Sequence, residues 1–248
     1  MTRYAEELVE DTASSAMFPL LQDLRVMVPL LSASSAALSI GYMESLLELH
    51  LQTFSISVSS VGLCFLAMSL TYTAMTLLTG YCVDKILQPS TFSLAGLLLL
   101  LLAMMLVGPA PYLPLGPCLP LTVFSLVLQG AGAALVLVST YSSSLAASLA
   151  KDGYSDSPST FSIVSGLWTS AFALGNFVGP SVAGVIYDQV FTNSIFLTKQ
   201  IIITQIGFSW GAVCVQAVLL VMTTFNIWTR KIEANIRRLH CDQLYEQI

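Results

Sequence analysis

The sequence predicts an all-α integral membrane protein, a six-helix bundle, and three observations carry that prediction. Only 9% of the 248 residues are charged and 55% are hydrophobic, with a mean hydropathy of +0.79. Apolar runs long enough to cross a bilayer recur along the chain. The basic residues fall almost entirely on one side of those runs. Soluble domains are roughly a quarter charged, so lipid rather than water must face most of this surface.

The spans follow from the charge-free runs. Val26 to Met43 is apolar and leads into Glu44 and Glu48, which gives the first helix. Leu51 to Val83 carries no charge and holds the second, about Ser57 to Gly80. From Ile86 to Ala150 there are 65 uncharged residues, too many for one crossing. Pro109, Pro111, Pro114, Pro117 and Pro120 divide that run, because proline lacks the N–H and clashes with the preceding turn. The third helix is then about Thr91 to Val107 and the fourth about Leu119 to Ser143, with Gly108 to Pro117 between them outside the helix. The fifth runs from about Thr160 to Tyr187 and the sixth from about Ile201 to Trp228. Residues 1–25 form a polar leading segment, 26–228 the bundle, and 229–248 a polar tail.

Six crossings put both ends of the chain on one side. Arg3, Arg25, Lys85, Lys151, Arg230, Lys231, Arg237 and Arg238 lie on that side, and only Lys199 lies opposite. Basic residues concentrate in cytoplasmic loops, so both termini are expected in the cytoplasm. Residues 1–25 carry acids where a signal peptide has its basic region, and no apolar core, so the first span is expected to act as its own insertion signal or to continue a longer protein. The five cysteines are scattered, which fits neither a disulfide framework nor a zinc site. No basic stripe for nucleic acid precedes the tail. The Arg/Lys cluster of the tail reads as a topology determinant or as an attraction for anionic headgroups. No protease or hydrolase motif is present, so an enzyme, a cofactor and a metal site are not expected.

Two motifs share one register. In the fifth helix Gly166, Gly175, Gly179, Pro180 and Gly184 match the pattern G-x8-G-x3-G-P-x2-[GA]-G at every fixed position. Glycines on one face let a neighbouring backbone approach, and a proline bends the helix; the alternative is an ordinary small-residue seam centred on Gly175 and Gly179. Between the second and third helices, Gly80, Asp84 and Lys85 stand in a Gly-x-x-x-Asp-Lys segment, expected in the loop. There the Asp-Lys pair can also be a solvated turn. Together the two stretches resemble the major facilitator superfamily. In that family the first pattern belongs to a helix that seals two bundles in antiporter-like members, and the second begins a cytoplasmic gate loop. The resemblance covers about residues 26 to 230, half of a twelve-helix body, and implies the carboxyl-terminal half. The pattern is best known from the fifth helix of the first half, whereas here it falls in the equivalent helix of the second. The gate's second part, G-[RK]-[RK], is replaced by Leu87, Gln88 and Pro89.

Glu44 completes the set. An ionisable group within a span costs about 2.5–3.5 kcal/mol on insertion and marks a functional site by default. The stretch Ile40 to Glu48 is similar to the vesicular amine transporter branch, polyamine-type members included, the solute carrier 18 type. That resemblance implies proton-coupled antiport of a small organic cation, with Glu44 as the carboxylate for ammonium or proton. Read as an ordinary helix, Glu44 is a solvated end, and Glu48 and His50 are interfacial. The branch carries acids in the fourth and fifth helices, where Ser139 and Thr169 stand here. Gln129, Tyr141, Trp168 and Asn176 are candidates to line the cavity, each with an equal alternative as an interhelical hydrogen-bond partner. The expected surroundings are the bilayer of a vesicle or the plasma membrane. The expected partner is an amino-terminal six-helix half or a full-length carrier. A membrane adaptor that keeps the half-carrier fold is the alternative function.

Overall fold

In a computed structural model, the described residues are 17–52, 54, 56–85, 88–107, 118–151, 153–154, 156–192 and 211–232. Residues 17–21 are helical, and six long helices follow: α1 Leu24–Gln52, α2 Val58–Lys85, α3 Pro89–Val107, α4 Leu119–Leu149, α5 Pro158–Thr192 and α6 Gly211–Ile232. All six contain a stretch long and apolar enough to cross a membrane, and the described residues include no strand. Only a helix or a closed barrel satisfies every backbone polar group within lipid, and these sequences take the helical solution.

Several boundaries run past the expected ones. The Gly80–Lys85 segment is not a loop but the last turn and a half of α2, with Asp84 and Lys85 exposed and the Lys85 ammonium 4.8 Å from the Tyr81 ring centre. One glycine costs a helix only about 1 kcal/mol, and no proline intervenes before Pro89. Pro89 instead opens α3, where its missing N–H costs nothing. In the same way α4 continues beyond Ser143 to Leu149, because the breaker, Gly153 with φ +92°, comes only later. Helix α5 begins two residues earlier than expected, at Pro158, where the Ser157 hydroxyl accepts from the Thr160 amide at 3.5 Å. The start of the sixth helix, the prolines 109–117, Lys199, and the charges of residues 1–16 and 233–248 lie outside the described residues.

Two helices are central. In their most apolar stretches 67% of α1 and 61% of α4 is buried, against 11% of α2 and 17% of α5. Helix α4 packs on α1, α2, α3 and α5, while α1 packs chiefly along α5 and α4. Lipid is as apolar as leucine, so close packing and polar pairs rather than hydrophobic exclusion must hold these helices. A single turn of α4 shows how. Gln129 Nε2 donates to Ser39 Oγ of α1 at 2.8 Å. The next residue, Gly130, lies against the carbonyl of Met68 in α2, and Gly132 lies against Gly96 of α3, with 3.0 Å from a β-carbon there to the Gly96 oxygen. Helix α6 is tied to α1 by the Asn226 amide donating to Ser32 Oγ at 2.9 Å, and to the start of α3 by the Arg230 guanidinium donating to Thr91 Oγ1 at 2.8 Å. Large side chains such as Tyr42, Leu47, Leu100, Met104 and Leu219 fill the space between.

Candidate functional site

The helix directions place one end of α1, α3 and α5 (Leu24, Pro89, Pro158) with the other end of α2, α4 and α6 (Lys85, Leu149, Ile232). This basic end is distinct from the far end, where α1 finishes. From Val26 to Met43 no α1 residue is exposed; beyond it Glu44, Ser45 and Glu48 are. Glu44 lies 20 residues past Leu24, roughly 30 Å along the axis and so near the far end.

Helix α5 meets α1 through the glycine series, but only half of it. Gly175 lies against the Ser34 carbonyl and Gly179 between Leu38 and Tyr42, so these two seal α5 onto α1 within the bundle. Gly166 and Gly184 face open space. Pro180 packs its ring on Gly41, with Cδ 2.9 Å from where a β-carbon would stand. Having no N–H, Pro180 offers nothing to the carbonyl of Asn176 four residues back. That carbonyl and the Asn176 side-chain oxygen both stand beside Gly41, 3.2 and 3.1 Å from the same point. Gly41 and Glu44 are three residues apart, hence neighbours on one helix face. The turn before Pro180 therefore presents two acceptor oxygens beside Gly41, one turn along α1 from an exposed carboxylate.

A second group lies nearer the basic end. The Trp168 indole donates to Thr140 Oγ1 at 3.2 Å, stacks on Phe172 at 5.7 Å between centroids, and meets Tyr141 edge to face at 5.9 Å. Trp168 is ten residues into α5, roughly 15 Å from the helix start, so this aromatic group and Glu44 sit at different depths. All three rings are half-buried. Ser139 is wholly buried and spends its hydroxyl on the Leu135 carbonyl of its own helix at 2.5 Å, and Thr169 is exposed. Gln129 is likewise buried, with its side-chain oxygen lacking a hydrogen-bond partner among the described residues.

Thus Asn176 lies beside Gly41, about one turn from Glu44, Tyr141 meets Trp168, and Ser139 and Gln129 stay within the packing between helices. Thr140 and Phe172 escaped the sequence reading. Phe172 follows Trp168 by four residues, a spacing that could have flagged the pair; Thr140 carries no such signal. The described residues contain no cluster of three metal-ligating side chains.

These six apolar helices, two central and four peripheral, with α1 and α5 sealed by glycine, define a multi-pass membrane bundle. No family model matches the chain, and no solved structure matches it significantly. Among curated proteins it is 32% identical over 174 residues to the MFS-type transporter SLC18B1 of Mus musculus, an alignment covering 69% of this chain and 34% of that protein. The Rattus norvegicus and Homo sapiens proteins of the same name are 31% and 30% identical, again over 69% of this chain and 34% of theirs. The matched region thus spans about a third of the length of these relatives. The chain belongs to the major facilitator superfamily, in its solute carrier 18 branch, and its six helices fit one half of such a fold.

Proposed function

We propose that this chain is the carboxyl-terminal bundle of a carrier that exchanges a small organic cation for protons, with both termini in the cytoplasm. The observation that supports this most is the pair of Asn176 oxygens beside Gly41, one turn from Glu44. An amine needs a carboxylate for its charge and further acceptors for its remaining N–H groups, and Glu44 with the two Asn176 oxygens offers both. Proton and ammonium would compete for one carboxylate, which is the simplest physical basis of exchange. The rings of Tyr141, Trp168 and Phe172 form a second station, where π faces attract a cation.

Carriers of this design move substrate at the interface of two bundles. The sparsely covered helices α2 and α5 fit that need. On α5 the exposed residues include Ser162, Thr169, Ser170 and Asn176, a polar set better suited to a cavity wall than to lipid. The name of the relatives supports transport as the activity, and the basic residues at one end support the orientation. The test is uptake of a labelled polyamine into vesicles under an imposed pH gradient, with this chain co-expressed with an amino-terminal half. Gradient-independent uptake, or none, would refute exchange.

A further inference from the structure

A further cavity at the basic end belongs to neither of these stations. A cavity of about 930 Å³ opens between the ends of α1, α3, α4 and α6. Among its described lining residues the cations are Arg25, Lys151 and Arg230, and the only acid is Asp23. Asp23 is already engaged: it accepts from the Arg25 backbone amide at 3.0 Å and lies 3.9 Å from the Lys151 ammonium, which also donates to the Pro19 carbonyl. The Arg230 guanidinium is steadied by Thr91. Helix α3 opens into the same space at Pro89 and Ser90, so the positive end of its dipole adds to the field.

The independent sign of a ligand is Ser93. This residue belongs to the cavity wall and is 3% exposed, yet its shielded hydroxyl has no hydrogen-bond partner among the described residues. The hydroxyl of Ser143, in the part of the wall that α4 supplies, also has no partner among the described residues. Buried hydroxyls are paired as a rule, and leaving one unpaired costs about 1–3 kcal/mol. Two such hydroxyls, set just beneath the wall of a space rimmed by cations, suit a ligand with several acceptor oxygens and negative charge.

We propose that this cavity binds the phosphomonoester headgroup of an anionic membrane lipid. Three cations against one acid among the described lining residues suit the charge of a phosphomonoester, about −1.5 to −2. Guanidinium groups pair with phosphate through two parallel hydrogen bonds. The walls favour a lipid over a free phosphate: Val28, Ala147 and Ile232 are apolar, and Trp228, 54% exposed, stands at the rim as tryptophans do at membrane interfaces. Basic pockets between helices at this depth are where headgroups dock. The site shares no residue with the proposed cation path, so its occupation is independent of that reading.

The test uses the full chain in detergent, titrated with dioctanoyl phosphatidylinositol 4-phosphate and followed by native mass spectrometry. Saturable binding of one lipid is expected, with dioctanoyl phosphatidylcholine at least about tenfold weaker. Arg230→Gln and Lys151→Gln should each weaken binding about tenfold, the loss of one charge-assisted pair. Ser93→Ala keeps every charge, and should weaken it about threefold with thermal stability retained. Unchanged affinity in the Ser93→Ala variant, or equal binding of phosphatidylcholine, would overturn the proposal. Inorganic phosphate displacing the lipid at equal concentration would overturn the lipid assignment.

Discussion

The backbones of Gly179 and Tyr42 are in contact: a β-carbon at position 179 would stand 2.8 Å from the Tyr42 nitrogen and 2.6 Å from the Leu38 carbonyl oxygen. Neither neighbour is the flexible end of a side chain, so nothing can yield locally. Gly179→Leu should therefore lower stability by about 2 kcal/mol or more, the cost of forcing packed helices apart. Gly62 of α2 faces open space, and Gly62→Leu should be neutral or slightly stabilising. Thermal unfolding in detergent compares them; equal midpoints would contradict the seam. Gly153 is a poor reference, since its φ of +92° strains any side chain.

Trp168 and Thr140 give a finer test. Thr140→Val leaves the indole N–H without its acceptor, and should cost about 0.5–2 kcal/mol. Trp168→Phe removes the donor itself. In the double variant the loss should be less than the sum of the two, with a coupling of about 0.6 kcal/mol, as for hydrogen bonds between membrane helices. Strict additivity in chemical denaturation would show that the bond contributes nothing.

Glu44 and Glu48 separate function from solvation. In the co-expressed carrier, Glu44→Gln keeps size and hydrogen bonding but removes charge, and should abolish pH-driven cation uptake with insertion intact. Glu48→Gln should leave uptake within about twofold, and Asn176→Ala, which removes the side-chain acceptor and keeps the carbonyl, should weaken substrate affinity about tenfold. Normal uptake by Glu44→Gln would make this acid a solvated helix end.

Orientation is tested by labelling. In a chain stripped of its native cysteines, single cysteines at Gln88 and Asp156 should react with an impermeant maleimide only from the cytoplasm. One at Thr192 should react only from the opposite face. Labelling of Gln88 and Thr192 from one face would refute the proposed arrangement.

The six helices were legible because charge is so costly in lipid that its absence marks each span. Their ends were less so. Nothing in the sequence at Gly80 stops a helix, and the end of the charge-free run at Val83 is a poor guide to where the helix ends; Pro89, a stronger signal, marks the true boundary. The partition of the glycine series was not legible either. Gly166 and Gly175 differ in what lies opposite, Ser34 in one case and open space in the other, and spacing along one helix carries no such information. The cavity of Arg25, Ser93, Lys151 and Arg230 was the least visible feature, since its residues come from four helices and match no linear pattern.

The turn of α4 from Gln129 to Gly132 touches α1, α2 and α3 within four residues, each by a different position. Register along this helix is therefore fixed in three directions at once. One residue inserted before Gln129 would turn that whole patch by about 100° relative to the rest of α4 and lift it about 1.5 Å. Side chains would then point at Met68 and Gly96, where only glycine fits. Substitutions on α4 can be absorbed one neighbour at a time, but a change in length cannot. Natural variants of this bundle should accordingly differ in the length of its connections while the interval from Gly130 to Gly132 stays constant.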